Sequence, residues 1–293
     1  MATYIVTTES ANLTRTRSPA LPVAPLEYNR QYHDQYNNIL RLYFNTLDNF
    51  VALLNTNTSA VISTVIFPHG AFHQDGYTTL STTIPNPTDT ANVVVASTAG
   101  FQNSGTILIE KEFISYTGKT SNTFTGITRS MYLSTGASHT AGVYVSEAQA
   151  VANATTALAI IMSVTDASEG VSLDPTDSSK IVFEYAGYYN IQFSAQLLTF
   201  DGADNVTLWF KQNGNDVVDS AGITTVPATH GGEAGAAIVS WNLVLPVNAN
   251  DNIQLYMASG TGNSLAATYP PGTAPVHPAS PAVILTATFA SAL

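Results

Sequence analysis

Asn190-Ile191-Gln192-Phe193-Ser194-Ala195-Gln196-Leu197 alternates without a break, with Ile191, Phe193, Ala195 and Leu197 apolar and the residues between them polar. Side chains leave a strand on alternate faces, so this stretch predicts a strand with one face in a core and the other in water. Similar runs occupy 157–164, 180–185, 206–211, 217–226, 236–245, 252–258 and 282–289, with Gly, Asn and Asp in the turns between them. Eight such runs predict an antiparallel β-sandwich over residues 147–293, most simply a jelly roll. Trp209, Val244, Tyr256 and Ile284 fall on the second face of their strands, where a lone sandwich favours polar groups. They point to a subunit interface, against the plainer reading of scattered surface apolar residues.

Upstream, residues 89–146 hold shorter runs at 92–96, 106–109, 112–116 and 122–127, separated by Asn103-Ser104-Gly105 and by Gly118-Lys119-Thr120-Ser121-Asn122. This predicts a small β module, marginal on its own and helped by oligomerisation. Residues 59–88 read as a short strand in the Val61–Phe67 region and a Pro/Gly linker closing on Ile84-Pro85-Asn86-Pro87. Residues 26–58 change texture. No Gly or Pro occurs from Leu26 to Leu54, and Tyr32, Tyr36, Ile39, Tyr43, Thr46, Phe50 and Leu53 recur in alternating steps of four and three. That is the seam of a helix in a bundle or coiled coil, and Leu40, Phe44, Leu47, Val51 and Leu54 form a second stripe beside it. Two stripes suit three helices meeting; a single amphipathic helix lying on its own domain is the simpler alternative. Residues 1–25, with Arg15, Arg17 and prolines at 19, 22 and 25, read as an extended attachment arm. The fold class expected is therefore mainly β: arm, helix in a trimeric bundle, small β module, C-terminal antiparallel β-sandwich or jelly roll.

Composition narrows the function classes. The 293 residues contain no Cys, which excludes disulfide frameworks, thiol nucleophiles and zinc-thiolate centres. Only 10% are charged against 45% hydrophobic, so the chain has material for a core and a surface of hydroxyls and amides. Residues 131–293 carry Lys180 and Lys211 against twelve acids, a balance of −10. No basic stripe exists there for a phosphate backbone, so nucleic acid is not an expected partner. The start lacks the pattern of a secretory signal, and the strongest apolar run, 157–162, is far short of the roughly 20 residues of a spanning helix, so neither export nor membrane insertion is expected.

Three stretches carry a resemblance. The helix at 26–49 resembles the N-terminal segment of structural proteins of tailed phages that infect marine bacteria, cyanobacteria in particular. Ala99-Gly100-Phe101, 104–109, 114–118 and 124–129 are similar to a small β module of phage fibre and appendage proteins. Glu184-Tyr185-Ala186-Gly187-Tyr188-Tyr189-Asn190-Ile191-Gln192-Phe193, with Trp209-Phe210-Lys211-Gln212-Asn213-Gly214, Trp241-Asn242 and 281–286, resembles the C-terminal modules of such proteins, which look like trimeric jelly rolls of the tumour-necrosis-factor and complement type. The resemblance implies a virion structural protein assembled in the host cytoplasm: a homotrimeric tail-fibre or appendage subunit, docked to other virion proteins through residues 1–54 and turned outward toward a host glycan or receptor. A capsid decoration or head-fibre protein is the alternative, and a glycan-degrading tailspike-like enzyme the second. Gly260–Ser280, long and rich in Gly and Pro, departs from the pattern and is expected to be a tip or lateral loop.

Catalytic chemistry finds little support in the residues. Asp201 with Asp204, and Asp216 with Asp219, lie in turn-like sequence where acids cap turns. Gly262-Asn263-Ser264-Leu265-Ala266 lacks the last glycine of a nucleophile elbow, and no phosphate-binding loop or dinucleotide fingerprint appears. His69 and His73 are four apart, but Pro68 and Gly70 oppose the helix that would align them, and the acidic turns at 174–177 and 201–204 match no calcium-loop spacing. No catalytic residue, metal site or cofactor is expected. Tyr269, beside Pro270 and Pro271, is the candidate receptor contact, as an aromatic platform for a sugar ring; Tyr32, Tyr36, Ile39, Tyr43, Phe50 and Leu53 form the candidate trimer seam.

Overall fold

A computed structural model describes residues 30–64, 67–273 and 275–293, without the side chains of 31, 32, 50, 52–64 and 273. The expected arm at 1–25 and the seam side chains of Tyr32, Phe50 and Leu53 therefore lie outside the described residues. The chain divides into two compact units, 1–66 and 67–293.

In the first unit the described element is a helix, α1 (Arg30–Thr64). Arg30 and Asp34, one turn apart and both exposed, form an ion pair at 3.9 Å, and the Thr46 hydroxyl donates to the Leu42 carbonyl at 2.8 Å. Both tie the coil locally and contribute a few tenths of a kcal/mol at most. Tyr36, Ile39 and Tyr43 are half-buried, while Leu42, Phe44 and Val51 are exposed. The backbone is helical through 61–64, where the sequence suggests a short strand. The bias of Val61 and Ile62 toward strand is a fraction of a kcal/mol per residue, less than a helix already propagating supplies.

The second unit is mainly β and its sheets are antiparallel. In chain order its principal strands are β1 (His69–Gln74), β2 (Tyr77–Thr79), β3 (Gly105–Ile109), β4 (Glu112–Tyr116), β5 (Thr128–Met131), β6 (Tyr144–Ala150), β7 (Val164–Glu169) and β8 (Val171–Leu173). They continue with β9 (Ile181–Phe183), β10 (Gly187–Thr199), β11 (Asp204–Gln212), β12 (Gly222–Val226), β13 (Gly235–Val247), β14 (Asn252–Ser259), β15 (Ser264–Ala267) and β16 (Val283–Ser291). The largest sheet runs β7-β1-β16-β10-β15-β6-β3-β4-β5, with β13 on β10 and β2 on β6; a second runs β8-β9-β14-β11-β12, and two small sheets of three and two short strands accompany them.

The decisive alternation lies in β10. Its odd residues from Tyr189 to Leu197 are buried, and its whole length pairs with β13, from Gly187 opposite Val247 to Thr199 opposite Gly235. On its other edge β16 covers 188–195 and β15 covers 197–199. Phe193 meets Phe210 of the opposite sheet at 5.6 Å and Trp241 of β13 at 4.5 Å, and Phe183 meets Tyr189 at 4.7 Å. Residues of both sheets thus share one core, as in a sandwich. Two glycines there have different reasons, close approach at Gly222 and backbone conformation at Gly214. A Cβ at Gly222 would lie 2.5 Å from the Trp241 ring, and Asn213-Gly214, both at positive φ, close the tight turn after β11.

A second core, around Ile107, Ile109, Ile114, Tyr116 and Phe124, fills the expected small module. The boundary expected at 146/147 falls inside β6, which hydrogen-bonds β3 on one edge and both β2 and β15 on the other, so one sheet runs through both regions. The Gly260–Ser280 stretch is corrected accordingly. It is no free tip loop, because β15 sits between β10 and β6 with Leu265, Ala266 and Ala267 fully buried. The 157–164 run is also shorter than expected, with strand only at Leu158–Ala159 before β7.

Truncating Phe193→Ala should cost about 3–5 kcal/mol, because the ring is buried between the sheets and nothing beside it can follow it into the void. Urea denaturation checks this; a loss below about 1 kcal/mol would mean that the two sheets do not share a core.

Candidate functional site

The outer face of β10, β13 and β16 has the residue pattern of a contact surface. From Tyr188 to Ser194, from Ile238 to Val244 and from Ile284 to Thr288, no outward side chain is charged. Within it Ile238 is 73%, Val244 57%, Ile284 41% and Tyr188 41% exposed, interleaved with Asn, Gln, Ser and Thr. Asn242 donates to Asn190 at 3.0 Å, holding the polar members of the strip in place. The far edge of β13 pairs with no strand among the described residues, and the strand contains no charged residue and only Pro246, near its end, as a blunting device. Long uncharged edges are the ones that accept another chain. Of the four second-face residues found in the sequence, Val244 and Ile284 lie on this strip. Trp209 and Tyr256 instead pair at 5.7 Å on the outer face of the opposite sheet, with the Lys211 ammonium 4.6 Å from the Tyr256 ring.

Tyr269 stands beyond the end of that strip. It is half-buried, so the free-standing platform expected from the sequence is replaced by a wall. Its backbone bridges Ser280, and Gln196 of β10 donates to Ser280 and to the Pro281 carbonyl, pinning the segment onto the sheet. Burial raises the Tyr269 phenol above its ordinary pKa, so it remains a neutral hydroxyl. Two clefts that share Leu108, Glu110 and Pro270 lie here, and Tyr269 lines the first of them. One, of about 310 Å³, has Leu108, Leu198, Phe200 and Ala234 as its apolar lining and Glu110, Lys111 and Glu233 among its polar groups. The other, of about 320 Å³, is lined by Leu108, Glu110, Val143, Tyr144, Ser146 and Pro270.

The hairpin tip that carries Glu110 and Lys111 is anchored by a buried ionic cluster. Glu112 is fully buried, and its oxygens accept from Arg129 Nε and Nη2 at 2.6 Å each, from His139 Nε2 at 2.8 Å, and from the backbone N–H groups of Ser130 and Ala137 at 3.0 Å. Burial alone would raise its pKa; the His139 and Arg129 hydrogen bonds, aided by the two amides, outweigh this and bring it down to about 2. His139 is buried between two carboxylates, with Nδ1 2.7 Å from Glu110. Burial lowers its pKa, but hydrogen bonds to Glu112 and Glu110 prevail and raise it, which favours an imidazolium donating from both nitrogens. The cluster also holds Ser130, which is at positive φ, as are Tyr132 and Leu133 just after it. Sequence spacing gives no hint of it, since the four side chains come from 110, 112, 129 and 139.

A further buried carboxyl behaves in the opposite sense. Glu147 of β6 is 1% exposed; burial pushes its pKa up to about 7, although Gln102 N–H and the Gln74 amide donate to it. The remaining sequence candidates take structural roles. Asp204 is buried and accepts the Ser259 and Ser264 hydroxyls at 2.6 Å each, and Asp201 accepts the Asn263 amide at 3.0 Å, so this pair fastens the turn before β15. Asp216 accepts Trp209 Nε1 at 2.7 Å. His69 and His73 share a face of β1 about 13 Å apart along the strand, too far for one metal ion, and His73 Nδ1 is bonded to Asp166 at 2.8 Å. No group of metal-binding side chains occurs among the described residues. Of the seam residues, Tyr36, Ile39 and Tyr43 lie half-buried on α1. Compared with known proteins, the chain matches no family model and no curated sequence.

Glu112→Gln should destabilise the protein by about 3–5 kcal/mol at neutral pH, because Arg129 and His139 lose a buried partner. The folded pKa of Glu112 is depressed, so its contribution is present above the unfolded value of 4.5 and is lost as pH falls toward 2. Thermal melts should therefore show the gap between the two proteins closing below pH 4, and a gap constant down to pH 2 would exclude this assignment. Glu147 has the opposite sign: its raised pKa makes ionisation a cost that grows from pH 4.5 to about 7. Glu147→Gln should raise the melting temperature at pH 8, by an amount equivalent to roughly 1–3 kcal/mol, and leave it unchanged at pH 4.

Proposed function

We propose that this chain is a non-enzymatic virion structural protein of a tailed phage, a homotrimeric fibre or appendage subunit that docks through its N-terminal residues and presents a C-terminal jelly roll outward. The observation that carries the reading is the uncharged strip on β13, β10 and β16. In a chain with a formal charge of −11, copies repel one another wherever acids face each other, and this strip is where they approach without that cost. Moving Ile238, Val244, Ile284 and Tyr188 out of water contributes roughly 1–2 kcal/mol each, repeated in every copy.

Two further features support the jelly roll and the helical stalk. Going from β10 to β16, the chain passes to the other sheet and back twice, as the strands of a sandwich with crossing connections do. Leu42, Phe44 and Val51 leave α1 with apolar groups in solvent, the surface a bundle would cover. In a trimer, weak contacts with a host surface are multiplied by multivalency. Placement on the virion distinguishes an appendage from a capsid decoration: a chain that binds assembled heads and not host cells would be the latter.

The double variant Ile238→Glu/Val244→Glu should convert the assembled protein into single copies while leaving the sandwich folded, since both side chains point away from the core. Multi-angle light scattering with circular dichroism tests this. A wild-type chain that is a stable single copy at micromolar concentration ends the trimer reading, and an unchanged trimer in the double variant removes this strip from it.

A further inference from the structure

We propose that the cleft lined by Tyr269, Pro270 and Phe200 binds a small neutral saccharide. Its volume of about 310 Å³ lies at the lower end of ligand pockets, which begin at roughly 300 Å³. That admits one or two sugar rings and little more. A pyranose has an apolar C–H face and a rim of hydroxyls. The cleft offers the matching division: Leu108, Leu198, Phe200 and the Tyr269–Pro270 wall are apolar, and the polar groups are concentrated on Glu110, Lys111 and Glu233.

Charge selects among small ligands. Lys111 Nζ is already bonded to Glu233 at 2.5 Å, and His139 Nδ1 lies 2.7 Å from Glu110. The lysine is thus no free anchor for a carboxylate or phosphate, and neither glutamate is a free anchor for an ammonium. Each of these glutamates still has a second oxygen to accept a hydroxyl proton, and Lys111 has further protons to donate. Ionic groups that satisfy each other while keeping hydrogen-bonding capacity favour an uncharged, hydroxyl-rich partner. The hairpin tip that supplies Glu110 and Lys111 is also held in place, because Glu112 and His139 anchor it from below. Little ordering is then needed on binding.

This deepens the host-contact reading and rests on it for biological sense, but binding can be read on the full chain whatever its assembly. Isothermal titration would use glucose, galactose and N-acetylglucosamine as neutral probes, glucuronate as the anionic one and choline as the cationic one. At least one neutral sugar should bind saturably with Kd on the order of 1 mM, the range of a single shallow subsite. Tyr269→Ala should weaken it tenfold or more, and Ala234→Trp, which fills the cleft, should abolish it. Tyr144→Ala, in the neighbouring cleft, should change it less than twofold, and circular dichroism confirms that each variant is folded. Stronger binding of choline or glucuronate than of every neutral sugar overturns the proposal, as does the absence of saturable binding by all three neutral probes, or binding that survives Ala234→Trp. Light scattering on the same samples separates the two readings: saccharide binding by a single-copy species leaves the cleft and removes the trimer, and a trimer that binds none of the neutral sugars removes the cleft alone.

Discussion

The register of β10 is the constraint on which the rest of the second unit depends. Its residues pair with β13 on one edge and with β16 and β15 on the other, so its odd residues define one wall of the shared core and its even residues define the outer face. A slip of one position would carry Phe193 into solvent and Gln192 into the contact with Phe210. Aromatic packing forbids this. Phe193 sits against both Phe210 and Trp241, and Tyr189 against Phe183 and Phe289, so the wrong register loses several buried rings at once. The polarity of the exposed strip is thus a consequence of core packing, and a surface made this way is as precise as the core beneath it.

The same strand couples the sandwich to the smaller core. Past Ala195 the neighbour of β10 changes from β16 to β15, and β15 hands the sheet on to β6 and β3. The clefts beside Tyr269 form at this change of partner, where the outer face of the sheet turns from the open strip into a surface covered by the 268–281 segment. The polar rim of the cleft that Tyr269 lines is supplied by the β3–β4 hairpin tip and by Glu233, just before β13. A ligand there would touch residues from both halves of the sheet, and for that reason the rigidity of the hairpin tip matters. Burying Glu112 is expensive, and five hydrogen bonds from Arg129, His139, Ser130 and Ala137 offset the cost in a way that only one loop conformation satisfies.

Legibility in the sequence followed the range of the interactions. The alternation of 190–197 could be read because burial on one face acts residue by residue, and the apolar second-face positions Val244 and Ile284 could be read for the same reason. β15 could not. Ser264-Leu265-Ala266-Ala267 is short, has no alternation because both faces are buried, and sits in a Gly- and Pro-rich neighbourhood that signals a loop. The 61–64 segment was ambiguous for a different reason: β-branched residues are compatible with a strand, and only continuity with the preceding helix decides the matter. The ionic cluster of Glu110, Glu112, Arg129 and His139 was invisible because its members meet through tertiary contacts across 30 positions of chain. One local signal was available, since Glu110-Lys111-Glu112 places charges at a hairpin tip between two apolar strands. Yet the pattern alone says solvated turn, and burial of Glu112 reverses that meaning.

Charge distribution links these features. A chain with few cations leaves most of its carboxylates to be held by hydroxyls, amides and backbone N–H groups, as at Asp204 and Asp174. Two of its cations meet a deeply buried carboxylate or a hairpin tip, Arg129 on Glu112 and Lys111 on Glu233, while Lys180 and Lys211 pair with acids at the surface, Asp177 and Asp216. The central outer face of the larger sheet is left to neutral side chains. On β13, β10 and β16 that neutrality is complete, and it has two physical consequences. Association through the strip would escape the mutual repulsion of acidic copies and would be insensitive to salt, because there are no charges to screen. Selectivity would then come from the fit of Ile238, Val244, Ile284 and Tyr188 against a matching surface, which around a threefold axis is a different patch of the neighbouring copy and not the same strip.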